Sequence, residues 1–536
     1  MPAADKYILT IDLGTSGPKV ALISVYGKVA DSEFHPTPVI LHAGGGAEQD
    51  PAGWWSAIMS AAQKLLAKKL VPADDIVAVS VTTQWSGTVA VDEAGDPLMN
   101  AIIWMDCRGH DAMDHIFNSP IKVGGYPPLK LLQWLKISGG GPSLSGKDSV
   151  SHILWLKKDC SDIYKRTYKF LEPKDYINLR LTGKIAATGD SILLHWVTDN
   201  RDPSKVVYSE KLLKLAGLER EKLPDLIRAV DILGPLKKEV ADTLGLHPDT
   251  PVIGGTPDVH SACVGSGAVR DFEGHIYIGT SSWISAHVPF KKTDPFHGIG
   301  SFPSPLPGLY MILNEQECAG KCLTWLKDNV LYNKDELLME GNVPDIFKYL
   351  DNTVSRVPPG ANRVIFTPWL YGERAPVDDC HIRSSLFNLS LENTREDMAR
   401  AIFEGVAFNQ KWLLKYLEKF MGRRFSFLNF IGGGANSDVW SQILADVLEV
   451  PIRQLAGPMH ANGLGAAFLA SVALGYIRKE EIPDLVEVKA QYQPNQSAVG
   501  IYREIFAEFL NLYRVHNKIC RRLNKNNAER VCAPLR

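Results

Sequence analysis

The stretch Tyr7–Ser24, YILTIDLGTSGPKVALIS, decides how the rest of the chain is read. Tyr7, Leu9 and Ile11 alternate with smaller or polar residues, the period of a half-buried strand. The strand runs into Asp12-Leu13-Gly14-Thr15-Ser16-Gly17, and a second apolar run, Val20–Ile23, follows at once. This pattern predicts a β-hairpin whose glycine-rich turn carries hydroxyls and whose first strand ends in a carboxylate. Such a turn gathers backbone N–H groups into one concavity suited to phosphate oxygens. Thr15 and Ser16 add donors, Lys19 adds positive charge, and Asp12 is placed to hold Mg²⁺ directly or through water. The pattern recurs at His275–Val288, HIYIGTSSWISAHV, as strand, Gly279-Thr280-Ser281, strand. Two matched units, one opening each half of the chain, predict two related lobes facing a nucleotide's phosphates from opposite sides.

At 536 residues the chain is too long for one core. With 58 basic and 60 acidic residues it gives no global case for nucleic acid or an anionic membrane surface. No apolar run reaches the length of a bilayer span, and the first strand begins too early to leave room for a signal peptide. The eight cysteines are scattered, which suits reduced thiols in a cytoplasmic protein rather than a disulfide framework.

Along the chain, Asp50-Pro51 predicts the capped start of a helix with Trp54, Trp55, Ile58 and Leu65 on its apolar face. Val77–Thr82 reads as a buried strand ending in Thr83-Gln84-Trp85-Ser86-Gly87, and Ile102–Trp104 as a short one ending near Asp106 and Arg108. Ligands gather at strand ends in α/β sheets, so Gln84, Trp85, Trp104, Asp106 and Arg108 are candidate substrate contacts. Gly141-x4-Gly146-Lys147 resembles a phosphate-binding P-loop, but Asp148 stands where the Mg²⁺-binding hydroxyl belongs, and the segment reads as a loop between helices. Tyr208–Leu246 reads as helical with turns. Pro251–Asp258 then repeats the logic of Asp12: an apolar strand, a glycine turn, a carboxylate. Asp397–Phe420 predicts a long amphipathic helix. At Phe427–Ile431 a strand enters Gly432-Gly433-Gly434-Ala435-Asn436-Ser437 and a further helix, an arrangement that lets a flat ligand approach the backbone. Tyr502–Leu512 reads as a closing helix, and the basic segment beyond it as a solvated or disordered tail.

Taken in order, these motifs resemble the FGGY family of carbohydrate kinases, nearest its xylulokinase-like branch, over residues 6 to 510. DLGTSGPK (12–19) and YIGTSS (277–282) resemble its two phosphate motifs. GGTPD (254–258) resembles its glycine-turn-Asp segment, and PWLYGERAP (368–376) its Gly-Glu-Arg segment. REDMARAIFEGVAF (395–408) resembles its signature helix, and IGGGANSDVWSQILADVLEVP (431–451) its adenosine-binding segment. The resemblance implies an α/β, two-lobed actin-like ATPase (ribonuclease H-like) fold with ATP and substrate in the interlobe cleft. The N-terminal lobe is expected over 1–257, the C-terminal lobe over 258–512 and the basic tail over 513–536.

The resemblance makes Asp258 the catalytic base and Asp12, Gly14, Thr15, Ser16 and Lys19 the first phosphate and Mg²⁺ site, with Asp258 also near the metal. Gly279 and Thr280 would bind phosphate from the second lobe, and Gly433, Gly434 and Asn436 would surround the adenosine. The expected cofactors are ATP and Mg²⁺; the expected partner is a small sugar or polyol, and a homodimer is compatible. Xylulokinases carry Gln-Met-His-Gly where this chain has Gln84-Trp85-Ser86-Gly87, and Pro257 before the base is atypical. The favoured activity is phosphorylation of a ketose or polyol, with a pentulose first. The alternatives are an actin-like ATPase and a degenerate sensor that binds sugar or nucleotide without turnover.

Overall fold

The computed structural model describes residues 5–331 and 346–524. The first phosphate-motif hairpin is β1 (Tyr7–Gly14) and β2 (Gly17–Ser24), paired from Tyr7↔Ser24 to Gly14↔Gly17. It sits in a six-stranded sheet with β3 (Val29–Phe34), β4 (Ile76–Thr83), β5 (Ile232–Pro235) and β6 (Pro251–Pro257), in the order β5-β6-β4-β1-β2-β3. β1, β4 and β6 run parallel, while β2, β3 and β5 are antiparallel to their neighbours.

The second sheet repeats this plan. Its hairpin is β7 (Gly274–Ile278) and β8 (Ser282–Val288), followed by β9 (Thr293–Asp294), β10 (Ile299–Pro303), β11 (Tyr310–Leu313), β12 (Leu428–Ile431), β13 (Ile452–Leu455) and β14 (Val488–Tyr492). The order is β9-β10-β11-β8-β7-β12-β13-β14, again with an antiparallel hairpin joined to parallel strands, β7, β12 and β13. Two sheets of one design make this the two-domain, actin-like ATPase type of fold.

Helices cover the sheets. α1 (Pro51–Leu66) starts where the Asp50 carboxylate accepts the N–H groups of Ala52 and Gly53, and it buries Trp54, Ile58 and Leu65 in the first core. α2 (Pro173–Thr182) lies near β4 and β6, and α3 (Asp258–Gly265) leaves the end of β6. In the second half, α4 (Arg395–Met421) opens with a Thr394/Asp397 capping box and fills the second core with Ile402, Phe403, Val406, Leu413 and Leu417. α5 (Asp438–Leu448) is capped by Ser437. α6 (Ala461–Ala473) comes from the second half of the sequence yet packs Ala467 and Ala470 on Ile8, Ile23, Ala78 and Ile253 of the first sheet. α3 and α6 thereby cross between the lobes.

Several sequence expectations are corrected. Within Tyr208–Leu246 the only helices longer than one turn are Glu210–Ala216 and Lys238–Leu244, and the segment supplies β5, an antiparallel edge strand. A four-residue Ile-Leu-Gly-Pro strand has no usable periodicity. The last helix, α7, runs from Gln496 to Leu523. Its extension is a largely exposed helix rather than a disordered tail: Asn517 donates to Asp379 at 2.6 Å, and Tyr513 packs on Trp369 and Trp412. The rest of the expected tail, 525–536, lies outside the described residues.

Candidate active site between two phosphate hairpins

The register of β1 and β2 sets Asp12 opposite Lys19, at the open end of the first sheet. Asp12 accepts a 3.5 Å hydrogen bond from Asn462 at the start of α6, and the Lys19 ammonium donates to the Met459 carbonyl at 2.9 Å. Both contacts cross from one half of the sequence to the other. Burial raises the Asp12 carboxyl above its ordinary value, and the Lys19 charge opposes the rise.

Asp258 is the first residue of α3, and its carboxylate accepts its neighbour Val259's N–H at 2.8 Å. Its pKa is pushed up to about 7, first by burial and then by the charge of Asp12. The effect of Asp12 on Asp258 places two carboxylates in one electrostatic neighbourhood, where a like charge disfavours ionisation. A carboxyl near 7 is also matched to general-base work at neutral pH.

Beneath the first turn lies a closed polar network. The Thr15 hydroxyl donates to Gln84 Oε1 at 2.9 Å and accepts from Trp104 Nε1 at 2.9 Å. Gln84 donates to Gln49 at 2.7 Å, and Gln49 donates back to the Thr15 carbonyl at 2.9 Å. The Thr15 O–H is therefore spent on the protein, leaving the turn's backbone N–H groups and the exposed Ser16 hydroxyl for an anion. Gln84 is buried and acts as a strut under the turn rather than as a substrate contact. Trp104 commits its N–H to the same strut and keeps a half-exposed ring. Gln49 was not legible as part of the site, because nothing in its local sequence announces a contact 35 residues away.

Asp106 and Arg108 are bonded within the protein. Asp106 is 1% exposed and accepts from the Ala47 N–H, the Arg108 N–H and the Arg108 guanidinium. Arg108 in turn pairs with Glu48 at 2.7 Å and lies over the Trp155 ring at 4.0 Å. The cluster fastens the β-strand loops together and presents no free carboxylate to a ligand. Trp85, half-buried, donates its indole N–H to the Ser191 carbonyl at 2.9 Å and meets His260 edge to face at 4.8 Å. Its ring is thus fixed near the start of α3.

In the second lobe the turn Gly279-Thr280-Ser281 joins β7 to β8, with Thr280 exposed at its tip. The N–H groups of Ala319 and Gly320 donate to the Thr280 and Gly279 carbonyls at 2.9 and 2.8 Å, which rigidifies the turn. After β12, Gly433–Asn436 forms a 3₁₀ turn with Gly433 and Asn436 exposed. A side chain on Gly434 would meet Ile278 at 2.8 Å. Met459 stands beside Gly433 with half its surface exposed, and Gly432 donates to the Pro458 carbonyl at 3.1 Å. Met459 and Asn462 are site residues that sequence reading missed. The glycine-bracketed segment Gly457–Gly465 was the available signal.

The Gly-Glu-Arg segment faces the same cleft. Glu373, buried, accepts from Asn409 at 2.5 Å and from the Glu317 and Arg374 N–H groups, and burial pushes it up to about 7. Arg374 is bracketed by Glu315 and Glu317. The charge of Glu315, the partner of Arg374, contributes to the raised pKa of Asp258.

Family models for the N-terminal and C-terminal domains of the FGGY family of carbohydrate kinases match residues 7–265 and 274–474. The chain belongs to the FGGY family of carbohydrate kinases. It is an enzyme, a phosphotransferase with an alcohol group as acceptor. The xylulose kinase of Bacillus subtilis is 29% identical over 522 residues, 96% of this chain and 97% of that one. The gluconokinase of the same organism is 26% identical over 511 residues, 95% and 96% of the two chains. Among solved structures, gluconate kinase from Lactobacillus acidophilus superposes with a TM-score of 0.83 at 25% identity, covering 96% of this chain and 99% of that one. The ligand-bound xylulose kinase from Lactobacillus acidophilus, at 24% identity, has the same fold with a TM-score of 0.82, covering 96% and 100%.

Proposed function

We propose that this chain transfers the γ-phosphate of ATP to a hydroxyl of a ketose or polyol, with a pentulose as the first candidate and Asp258 as general base. The observation that carries the reading is the pair Asp258 and Asp12, two strand-end carboxylates raised by burial, the first also by the charge of the second, in a chain with two phosphate-type hairpins. Asp258 removes the proton of the attacking hydroxyl. The hydroxyl oxygen then bonds to the γ-phosphorus as the bond to the β-phosphate oxygen breaks, releasing ADP. Phosphoryl transfer of this kind needs positioning and charge neutralisation more than covalent help. Lys19 and the N–H groups of the Gly14–Ser16 turn bind phosphate from one side and the Gly279–Thr280 turn from the other. Gly433, Gly434 and Asn436, with Met459 beside them, receive the adenosine.

The donor set fits Mg²⁺: two hard carboxylates, Asp12 and Asp258, each raised by burial and the second also by the charge of the first. Asp12 and, through water, Asp258 would hold the ion, which supplies neutralisation of phosphate charge. The sugar lies against Trp85 and the open face of Trp104, next to Asp258. Among the described residues no helix is long and apolar enough to cross a membrane, and we place the enzyme in the cytoplasm, where ATP is abundant. The test is ADP production across a panel of pentuloses, hexuloses, polyols and gluconate, with Asp258→Asn alongside. Sugar-dependent turnover that vanishes in the variant supports the reading; sugar-independent turnover favours the actin-like ATPase alternative.

A further inference from the structure

β6 carries a bulge just before the base. Its pairing with β4 advances from Ile253↔Ser80 to Thr256↔Thr82, three residues against two. Side chains alternate along a strand, so one extra residue turns everything after it to the other face, Asp258 included. Gly255 has a positive φ of 71°, and a Cβ there would lie 2.2 Å from the Val81 carbonyl oxygen. Glycine permits the bulge, but something else must hold it. The Gly254 and Gly255 N–H groups donate to Asp231 and Ala229 at 2.9 and 3.0 Å. The Gly254 carbonyl receives two side-chain donors instead of a ladder partner: Lys174 Nζ at 2.9 Å and Asn178 Nδ2 at 2.8 Å.

Both donors come from α2, one turn apart, and both are fully buried. The Lys174 ammonium also pairs with buried Asp175, whose carboxylate accepts from the Ser191 hydroxyl at 2.8 Å. Ser191 is the residue whose carbonyl fixes Trp85. On the far side of the bulge the Thr256 hydroxyl donates to buried Asp190. A lysine buried to this extent is costly unless it is paired, and here one partner is a carboxylate and the other the carbonyl of the turn that precedes Asp258.

We infer that Lys174 and Asn178 are positioning residues for phosphotransfer: by clamping the Gly254 carbonyl they hold the bulge that points Asp258 into the cleft. The inference rests on Asp258 being the base. Neither residue reaches the cleft, so loss of the clamp lowers the rate of the chemical step and spares the binding of ATP and sugar. About tenfold to a hundredfold in kcat is the scale of a small misplacement of a catalytic group.

The test uses Asn178→Leu, which removes one donor while keeping the ion pair, and the double variant Lys174→Met/Asp175→Asn, which removes both charges together. Each is assayed in the full chain at a temperature well below its unfolding midpoint, with Asp258→Asn in parallel. Expected is a kcat lowered at least tenfold, with KM for ATP and for the sugar within threefold and sugar-independent ATP hydrolysis at the parent level. Parental kcat in Asn178→Leu, or kcat and both KM values degraded together, overturns the inference while an inactive Asp258→Asn leaves the base assignment standing. An active Asp258→Asn overturns the base assignment and this inference with it. Asn178→Leu decides the matter even if the double variant does not fold.

Discussion

Replacing Gly465 with alanine probes how closely α3 and α6 must approach for the base and the first phosphate hairpin to work together. Gly465 lies in α6 where it crosses α3, and a Cβ there would stand 1.9 Å from the Ser261 carbonyl oxygen. Gly265 on α3 makes the reciprocal contact, 1.9 Å from the Ala461 carbonyl oxygen. Real Cβ atoms essentially never come within 3.0 Å, so the helices must separate by at least about 1.1 Å. The obstacle is backbone, which no rotamer change can relieve. α3 begins with Asp258, and α6 carries Asn462, which bonds Asp12. The separation therefore falls on the distance between the base and the phosphate site. Overpacking at such a crossing costs about 1–3 kcal/mol of stability, and a displacement of about 1 Å costs on the order of a hundredfold in rate.

The assay is sugar-dependent ADP release, read beside thermal unfolding, with Gly500→Ala as control because a Cβ there meets nothing within 4 Å. Gly465→Ala is expected to lose both stability and kcat, Gly500→Ala neither. Gly265→Ala should behave likewise, and the double variant should lose less than the sum, since both side chains open the same contact. A folded Gly465→Ala with kcat within twofold of the parent would refute the reasoning.

Three further outcomes follow from the geometry. Asp106→Asn strips the charge from a buried carboxylate that holds Arg108 and the Ala47 N–H; it should lower stability by about 3–5 kcal/mol in denaturant unfolding while KM for the sugar stays unchanged, and a raised KM at parental stability would make Asp106 a sugar contact after all. Lys19→Met removes a charged donor from the phosphate hairpin and should raise KM for ATP about tenfold, measured against an unchanged KM for the sugar. The Asp258 carboxyl, at about 7 in the fold against 3.8 as its ordinary value, contributes stability that is fully present below 3.8 and is lost as pH rises through about 7. Asp258→Asn should accordingly raise the unfolding temperature more at pH 8 than at pH 5, and the acid limb of kcat/KM should lie at lower pH in Asp12→Asn, which lacks the neighbouring charge, than in the parent.

The two glycine-turn hairpins, the strand-end carboxylate Asp258 and the turn before the Asp438 helix were legible because each is a local device: a glycine-rich turn, a strand end, a capped helix start. What could not be read was who touches whom. Gln84 and Asp106 look like ligand contacts by their place at strand ends, yet the folded chain spends Gln84 on Thr15 and Gln49, and Asp106 on Ala47 and Arg108. Ile232–Pro235 is too short and too rich in Gly and Pro to announce a strand, and only its pairing with β6 makes it one. The helix beyond Leu512 carries few large apolar residues, and it is tied down by the Tyr513 ring on Trp369 and Trp412 and by polar contacts to Asp379, which no periodicity reveals. The bulge in β6 is likewise invisible until its register with β4 is known.

The most direct test of phosphotransfer from this cleft is ATP consumption by the full-length chain with and without each sugar of a panel, using Asp258→Asn as the paired control. The geometry predicts a rate that appears only with a particular ketose or polyol and is lost in the variant, with ATP binding retained. A rate indifferent to sugar, or one that survives Asp258→Asn, would contradict it.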